Sequence, residues 1–256
     1  MEPTEIYFKY KTDLIDLFDN NVIKGFSKSL ANYNALNRIS YNNQNQLILW
    51  LANIEKDFST GQWVTKEQLN HLGYRVYQNE KPSYITFHRP QMAEEVVSET
   101  TRIDKVYNVE QTSMPLLPEL NLIPLGEMLE TIPACVIHGK NTSHDFPVEE
   151  TVVLDFSEDE KHEEKYQLDL LHELVHWTGA KERFDRQIST EEDFYEEELL
   201  AEITSGMVAS MFNITPDLRH KEYLPKYKYY LKESFGIIPR IPFIACKCKT
   251  YLLSFR

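Results

Sequence analysis

The chain has no apolar run approaching the roughly 20 residues needed to cross a bilayer, so a helical membrane anchor is excluded and no membrane partner is expected. Cysteine is scarce. There are 3, an odd number without a C-x-x-C pair, which argues against a disulfide framework. The opening "MEPTEIYFKYKTDLIDLF" is too acidic and too interrupted in its apolar pattern for a secretory signal, and a cytoplasmic location is expected. Positive charge is short as well: 27 Lys and Arg stand against 40 Asp and Glu, a formal net charge of −13. That balance excludes polyanion binding by the surface as a whole. Low-complexity tracts and internal repeats are also missing.

What is there is a globular composition, 42% hydrophobic and 26% charged, over 256 residues, enough for two modest domains. The charge is unevenly placed. Residues 1–115 hold 12 basic and 14 acidic side chains, 145–202 hold 5 and 20, and 203–256 hold 9 and 3. A local basic patch on the first third or the tail stays open.

Periodicity divides the chain further. "TEIYFKYKTDLIDLFDN" and "NQNQLILWLANIEKDF" carry apolar residues at helical spacing. Beyond Gly61 a short helix stopping at Gly73 is expected, then strands at "YRVY", "YITFH" and "DKVYNVEQ". Pro115, Pro118, Pro124 and Pro133 mark a connection. "ACVIH", with Cys135 on a buried strand, and "ETVVLDF" read as strands flanking a polar turn. Helices follow at "EEKYQLDLLHELVHWTG" and "EEDFYEEELLAEITSGMVASMF", and the tail from Tyr223 reads as helical around its prolines.

The run "LDLLHELVHWTG" carries the chemistry. His172 and His176 are four apart, so in a helix both imidazoles face one point. Zinc takes such donors, and a catalytic zinc keeps three protein ligands and a water. Glu173 is placed as general base towards that water. The plain alternative, a helix that happens to contain two histidines, predicts no third ligand. "EEELLAEI" offers one, with Glu198 and Glu202 four apart. This pair resembles the E-x-x-x-D/E arrangement of gluzincin-type peptidases, which implies Glu198 as ligand and Glu202 as the partner of a ligand histidine. Glu196 and Glu197 read as a solvated acidic face, and Cys246 and Cys248 as packing residues.

"LLHELVHWTGAKERFDR" followed by "EEELLAE" resembles the ArdC-type antirestriction proteins of plasmids, conjugative elements and phages. "YNNQNQLILW", "FSTGQWVTKEQLNHLGYRVYQNEKPSYITFHRP" and "VYNVEQTSMPLLP" are similar to that family's N-terminal domain. The resemblance implies an α+β protein: a helical, small-sheet domain of the single-stranded-DNA-binding type over 1–113, a Pro-rich connection over 114–132, and a zincin-like domain of gluzincin type over 133–256. Zinc is the implied cofactor and single-stranded DNA the implied partner. Where the family has a K-G-E-K-G turn, this chain has "QNEKPS".

Single-strand binders combine basic groups with aromatic platforms. Trp63, Arg75, Lys81 and Arg89 are the candidates here, with Arg38 and the neighbouring asparagines as further polar groups. Three functions follow: an anti-defence protein that binds single-stranded DNA, a zinc endopeptidase cleaving a specific host or element protein, and a module in which zinc only stabilises. In the second, "ETVVLDF" would hold an extended peptide and Tyr195 or His220 would stabilise an oxyanion.

Overall fold

Trp63 and Val64 are neighbours on one strand, so their side chains leave opposite faces of a sheet, yet both are fully buried. The sheet must therefore be covered on both sides. The computed structural model describes residues 31–41, 44–93, 96–118, 123–138, 151–155, 163–216, 218–233 and 237–255, with residues 5, 6, 9, 10, 12, 13, 15 and 16 nearer the N-terminus. Of these, 88–93, 96–101 and 237–239 are described by their backbone alone. The chain divides into two compact units, one of Met1–Asn21 and Lys28–Glu119, the other of Val22–Ser27 and Leu120–Arg256.

The first unit contains β1 (Tyr33–Asn34), α1 (Gln44–Glu55), β2 (Gln62–Thr65), α2 (Lys66–His71), β3 (Ser83–Ala93) and β4 (Val96–Asn108). The sheet order is β1-β2-β4-β3, with β1 parallel to β2 and the other pairs antiparallel. On one face Leu49 and Ala52 of α1 pack with Phe58, Trp63, Ile85 and Val106. On the other, Leu69 of α2 packs with Ala35, Val64, Val109 and Met114. Thr65 and Gln68 start α2 with a reciprocal capping box, and Gly73 takes φ +78° just past its end.

Several asparagines and glutamines of this unit lie inside it. Asn32, Gln46, Asn53 and Asn108 are buried. Gln46 Nε2 donates to the carbonyls of Asn32 (2.8 Å) and Tyr41 (2.6 Å), and Asn53 Nδ2 donates to Asn32 Oδ1 at 3.0 Å. They satisfy the backbone where the chain leaves regular structure. "YRVY" is not a strand: only Val76 forms a bridge, to Thr112, because the Gly73 turn leads into a loop that turns again at Asn79, φ +70°. Both ends of the expected 114–132 connection are folded. Met114 is buried, the Gln62 amide bonds both the N–H and the C=O of Leu117, and Leu125–Glu130 is helical.

The second unit contains α3 (Leu125–Glu130), β5 (Cys135–His138), β6 (Thr151–Leu154), α4 (Glu164–Trp177), α5 (Glu191–Met211), α6 (Leu224–Glu233) and α7 (Ile237–Leu252). β5 and β6 are parallel, and the polar turn expected between them lies outside the described residues. Cys135 is exposed rather than buried, since its side chain leaves the open face of the two-stranded sheet. α4 packs on β6 and α5, while α6 and α7 also pack on α5, which is buried from Glu196 to Ala209. Cys246 and Cys248 are buried on α7, as expected of packing residues. His138 bonds the Tyr166 hydroxyl at 3.0 Å, and His144 and His162 lie outside the described residues. Among the described residues no helix is long and apolar enough to cross a membrane.

Candidate metal centre

α4 turns Leu170, Leu171, Leu174, Val175 and Trp177 into the core, and that fixes the direction of the residues between them. His172 is buried and His176 lies one turn on, their Nε2 atoms 3.2 Å apart. The helix ends at Thr178, and Gly179 has a close-approach role. A Cβ there would lie 2.9 Å from both Arg186 Nη2 and the His176 carbonyl, so only glycine lets Arg186 fold back under the helix. α5 starts at a Thr190–Asp193 capping box and presents Glu197, Glu198 and Glu202 towards α4.

The donors converge on Glu198. Its Oε2 is 3.5 Å from His172 Nε2 and 3.7 Å from His220 Nε2, and its Oε1 is 3.5 Å from His176 Nε2. Donor atoms of His172, Glu198 and His220 all fall within 4.8 Å of one another. Glu198 Oε2 and His172 Nδ1 are buried with no hydrogen-bond partner, which a structure rarely tolerates without a ligand. Imidazole nitrogens facing a carboxylate are a donor set that fits a divalent metal.

Surrounding groups set the charge. Glu197, expected on a solvated face, is buried: its Oε1 lies 3.2 Å from His176 Nδ1, and Arg186 grips it through Nε (2.8 Å) and Nη2 (2.6 Å). Burial raises this carboxyl's pKa, but Arg186 and His176 outweigh it and hold the group at about 2. Glu196, expected beside it in solvent, is buried and pairs with Arg240 of α7. Burial also holds His172 well below the usual imidazole range, the neutral form a metal requires. For His176 burial pulls down, yet the bond to Glu197 raises the ring above its ordinary value.

Glu202 accepts the backbone N–H of His220 (2.9 Å) and of Arg219 (3.2 Å), with His172 Nδ1 4.0 Å from its Oε2. Burial pushes it up to about 7 against the pull of those two N–H groups. Glu173 is half-buried and forms an ion pair with Arg219. The structure thus brings His172, His176, Glu198 and Glu202 together, with Glu173 beside them. His220, weighed from sequence only as an oxyanion donor, points at the same carboxylate; Tyr195 packs edge-on to Tyr223, whose ring stacks on His220. Arg219 carried no sequence signal, whereas Arg186 lies in "LLHELVHWTGAKERFDR" and Glu197 in "EEELLAE", the runs that carry the family resemblance.

The candidates in the first unit fare differently. Trp63 is a correction: it is 0% exposed, its indole N–H bonds Asn32 Oδ1 at 2.8 Å and Phe58 meets it edge-on, so no base can stack on it. Arg75 and Lys81 are exposed. Arg89 lies on β3 among residues described by backbone alone. Arg38 bonds the Pro118 carbonyl at 2.7 Å.

Fold and site define a two-part protein, a small sheet domain followed by a zincin-like domain. Residues 20–118 match the N-terminal domain of the anti-restriction factor ArdC, and residues 125–240 match the zincin-like metallopeptidase family. The two matches, in that order, give the chain an ArdC-type make-up: an ArdC N-terminal domain followed by a zincin-like domain. It is similar to the antirestriction ArdC protein from the R388 plasmid. The Mn(II)-bound crystal structure superposes with a TM-score of 0.80 at 21% identity, covering 97% of each chain. The metal-free structure gives 0.76 at 22%, covering 96% of this chain and 97% of that one. A further relative, the uncharacterized protein y4eC of Sinorhizobium fredii, is 23% identical over 213 residues, 73% of this chain and 69% of its own length.

Proposed function

We propose that this chain is an antirestriction protein of a mobile element or phage. In this reading it acts in the bacterial cytoplasm, binds single-stranded DNA through residues 1–113 and holds zinc in a peptidase-like centre within 133–256. The observation that carries the metal reading is the convergence of the His172 and His176 Nε2 atoms on Glu198, whose Oε2 is buried without a hydrogen-bond partner. Its relative from R388 has been crystallised with Mn(II), which supports a divalent cation here. Zinc is preferred here because two imidazoles and one carboxylate make the donor set of catalytic zinc. Bound there, the metal supplies Lewis acidity and brings the pKa of water towards neutrality.

Glu173 is the general base in this reading, His172 and His176 hold the metal with Glu198, and Glu202 fixes the chain beside them. Arg75 and Lys81, with Tyr77 exposed between them, supply the charge and the ring face that strand binding uses. The alternative is an endopeptidase acting on a specific host or element protein. It is favoured by β6, which among the described residues pairs with β5 alone and leaves an edge for an extended peptide.

Glu173→Gln tests the chemistry. The variant is expected to keep its zinc and its oligonucleotide affinity while peptide hydrolysis falls at least about 100-fold. Unchanged hydrolysis would remove Glu173 as the base. Protection of DNA in cells that survives the change would separate protection from proteolysis.

A further inference from the structure

Two of the imidazoles around Glu198 share one arrangement. His176 Nδ1 lies 3.2 Å from Glu197 and His220 Nδ1 lies 3.3 Å from Glu222, whereas His172 Nδ1, 4.0 Å from Glu202, has no hydrogen-bond partner. A carboxylate beside Nδ1 keeps the proton there and leaves the Nε2 lone pair for a metal. All three Nε2 atoms point at Glu198, at 3.5, 3.5 and 3.7 Å. An oxyanion donor would need a proton on Nε2, either in the opposite tautomer of His220 or in its imidazolium.

His220 is held in that position. Both Glu202 oxygens accept backbone N–H groups, one from Arg219 and one from His220, and the Tyr223 ring stacks on the imidazole with centroids 4.9 Å apart and planes at 19°. The same segment delivers Arg219 to Glu173, with a further bond from Arg219 to the Asp169 carbonyl at 3.4 Å.

We propose that the Arg219–Glu222 segment closes the metal centre: His220 supplies a fourth protein ligand, while Arg219 occupies the general base. This rests on the metal reading of His172, His176 and Glu198. Zinc sites with four protein ligands are closed, whereas catalytic ones keep a position for water. The folded chain is then a latent peptidase, and hydrolysis requires His220 and Arg219 to withdraw together.

The test uses the full chain, stripped of metal and reloaded with zinc against a competing chelator, and with Co(II) as a spectroscopic stand-in. One zinc per chain is expected, with a four-coordinate Co(II) visible spectrum that azide leaves unchanged. His220→Ala should bind zinc at least about tenfold more weakly, and its Co(II) spectrum should respond to azide. Glu222→Ala removes only an exposed carboxylate, keeps the fold testable, and should weaken zinc roughly tenfold. Zinc affinity unchanged in both variants, with wild-type Co(II) already open to azide, overturns the proposal and leaves the metal centre standing. A wild-type chain that binds no zinc sinks the metal reading itself, and this proposal with it.

Discussion

Replacing Arg186 by Met removes a guanidinium and little volume. In the folded chain the Arg186 side chain is 11% exposed, grips Glu197 through two nitrogens, and donates to the Val175 carbonyl (2.7 Å) and Thr178 Oγ1 (2.8 Å). Without it Glu197 keeps only His176 Nδ1 as partner in a buried position. Breaking a buried ion pair from one side costs about 3–5 kcal/mol, since a charge is left uncompensated. Arg186→Met with Glu197→Gln together leaves no such charge, and the pair of changes should cost less than Arg186→Met alone. A double-mutant cycle isolates the coupling, with urea unfolding of the metal-free protein followed through its helical circular dichroism. Expected are a loss of about 3–5 kcal/mol for the single variant and recovery of at least about 1.5 kcal/mol in the double. A single-variant cost below about 1 kcal/mol, or plain additivity, would refute the reasoning.

Two further outcomes follow from the packing. Trp63→Ala should destabilise the chain by about 3–5 kcal/mol, whereas Trp63→Phe should fold and retain oligonucleotide affinity. Lost affinity in a folded Trp63→Phe protein would contradict an interior role. Asp193 accepts hydrogen bonds from the Thr190 hydroxyl and from the N–H groups of Ser189 and Thr190, and the Thr190 bond holds its pKa below 3.8. A depressed carboxyl contributes stability above its unfolded pKa and loses it as pH falls through the folded value. Wild-type and Asp193→Asn melting temperatures should therefore differ at neutral pH and converge below 3.8, and a gap that persists in acid would disprove the assignment.

The centre was legible wherever function and helical period coincide. His172, His176, Glu198 and Glu202 sit at i, i+4 spacings within single helices, so their common faces can be read directly from the chain. His220 belongs to a different segment, 18 residues beyond the carboxylate that anchors its backbone, and no local pattern predicts that contact. Glu197 was hidden in an acidic run whose ordinary meaning is exposure; a guanidinium from the "RFDR" loop makes its burial tolerable. Trp63 was misleading because an aromatic beside basic residues looks the same from sequence whether it faces solvent or core. "ACVIH" and "ETVVLDF" were readable as strands but not as parallel partners, since direction depends on the chain between them.

α5 brings three of the site's carboxylates to their places on one continuous, capped helix. Each residue in such a helix advances the side-chain direction by about 100°. One residue inserted between Glu198 and Glu202 would swing Glu202 off the backbone of Arg219 and His220 while leaving every site residue in the sequence. For this segment the number of residues matters as much as their identity. Variants that alter its length should lose the centre, even where all the acids survive.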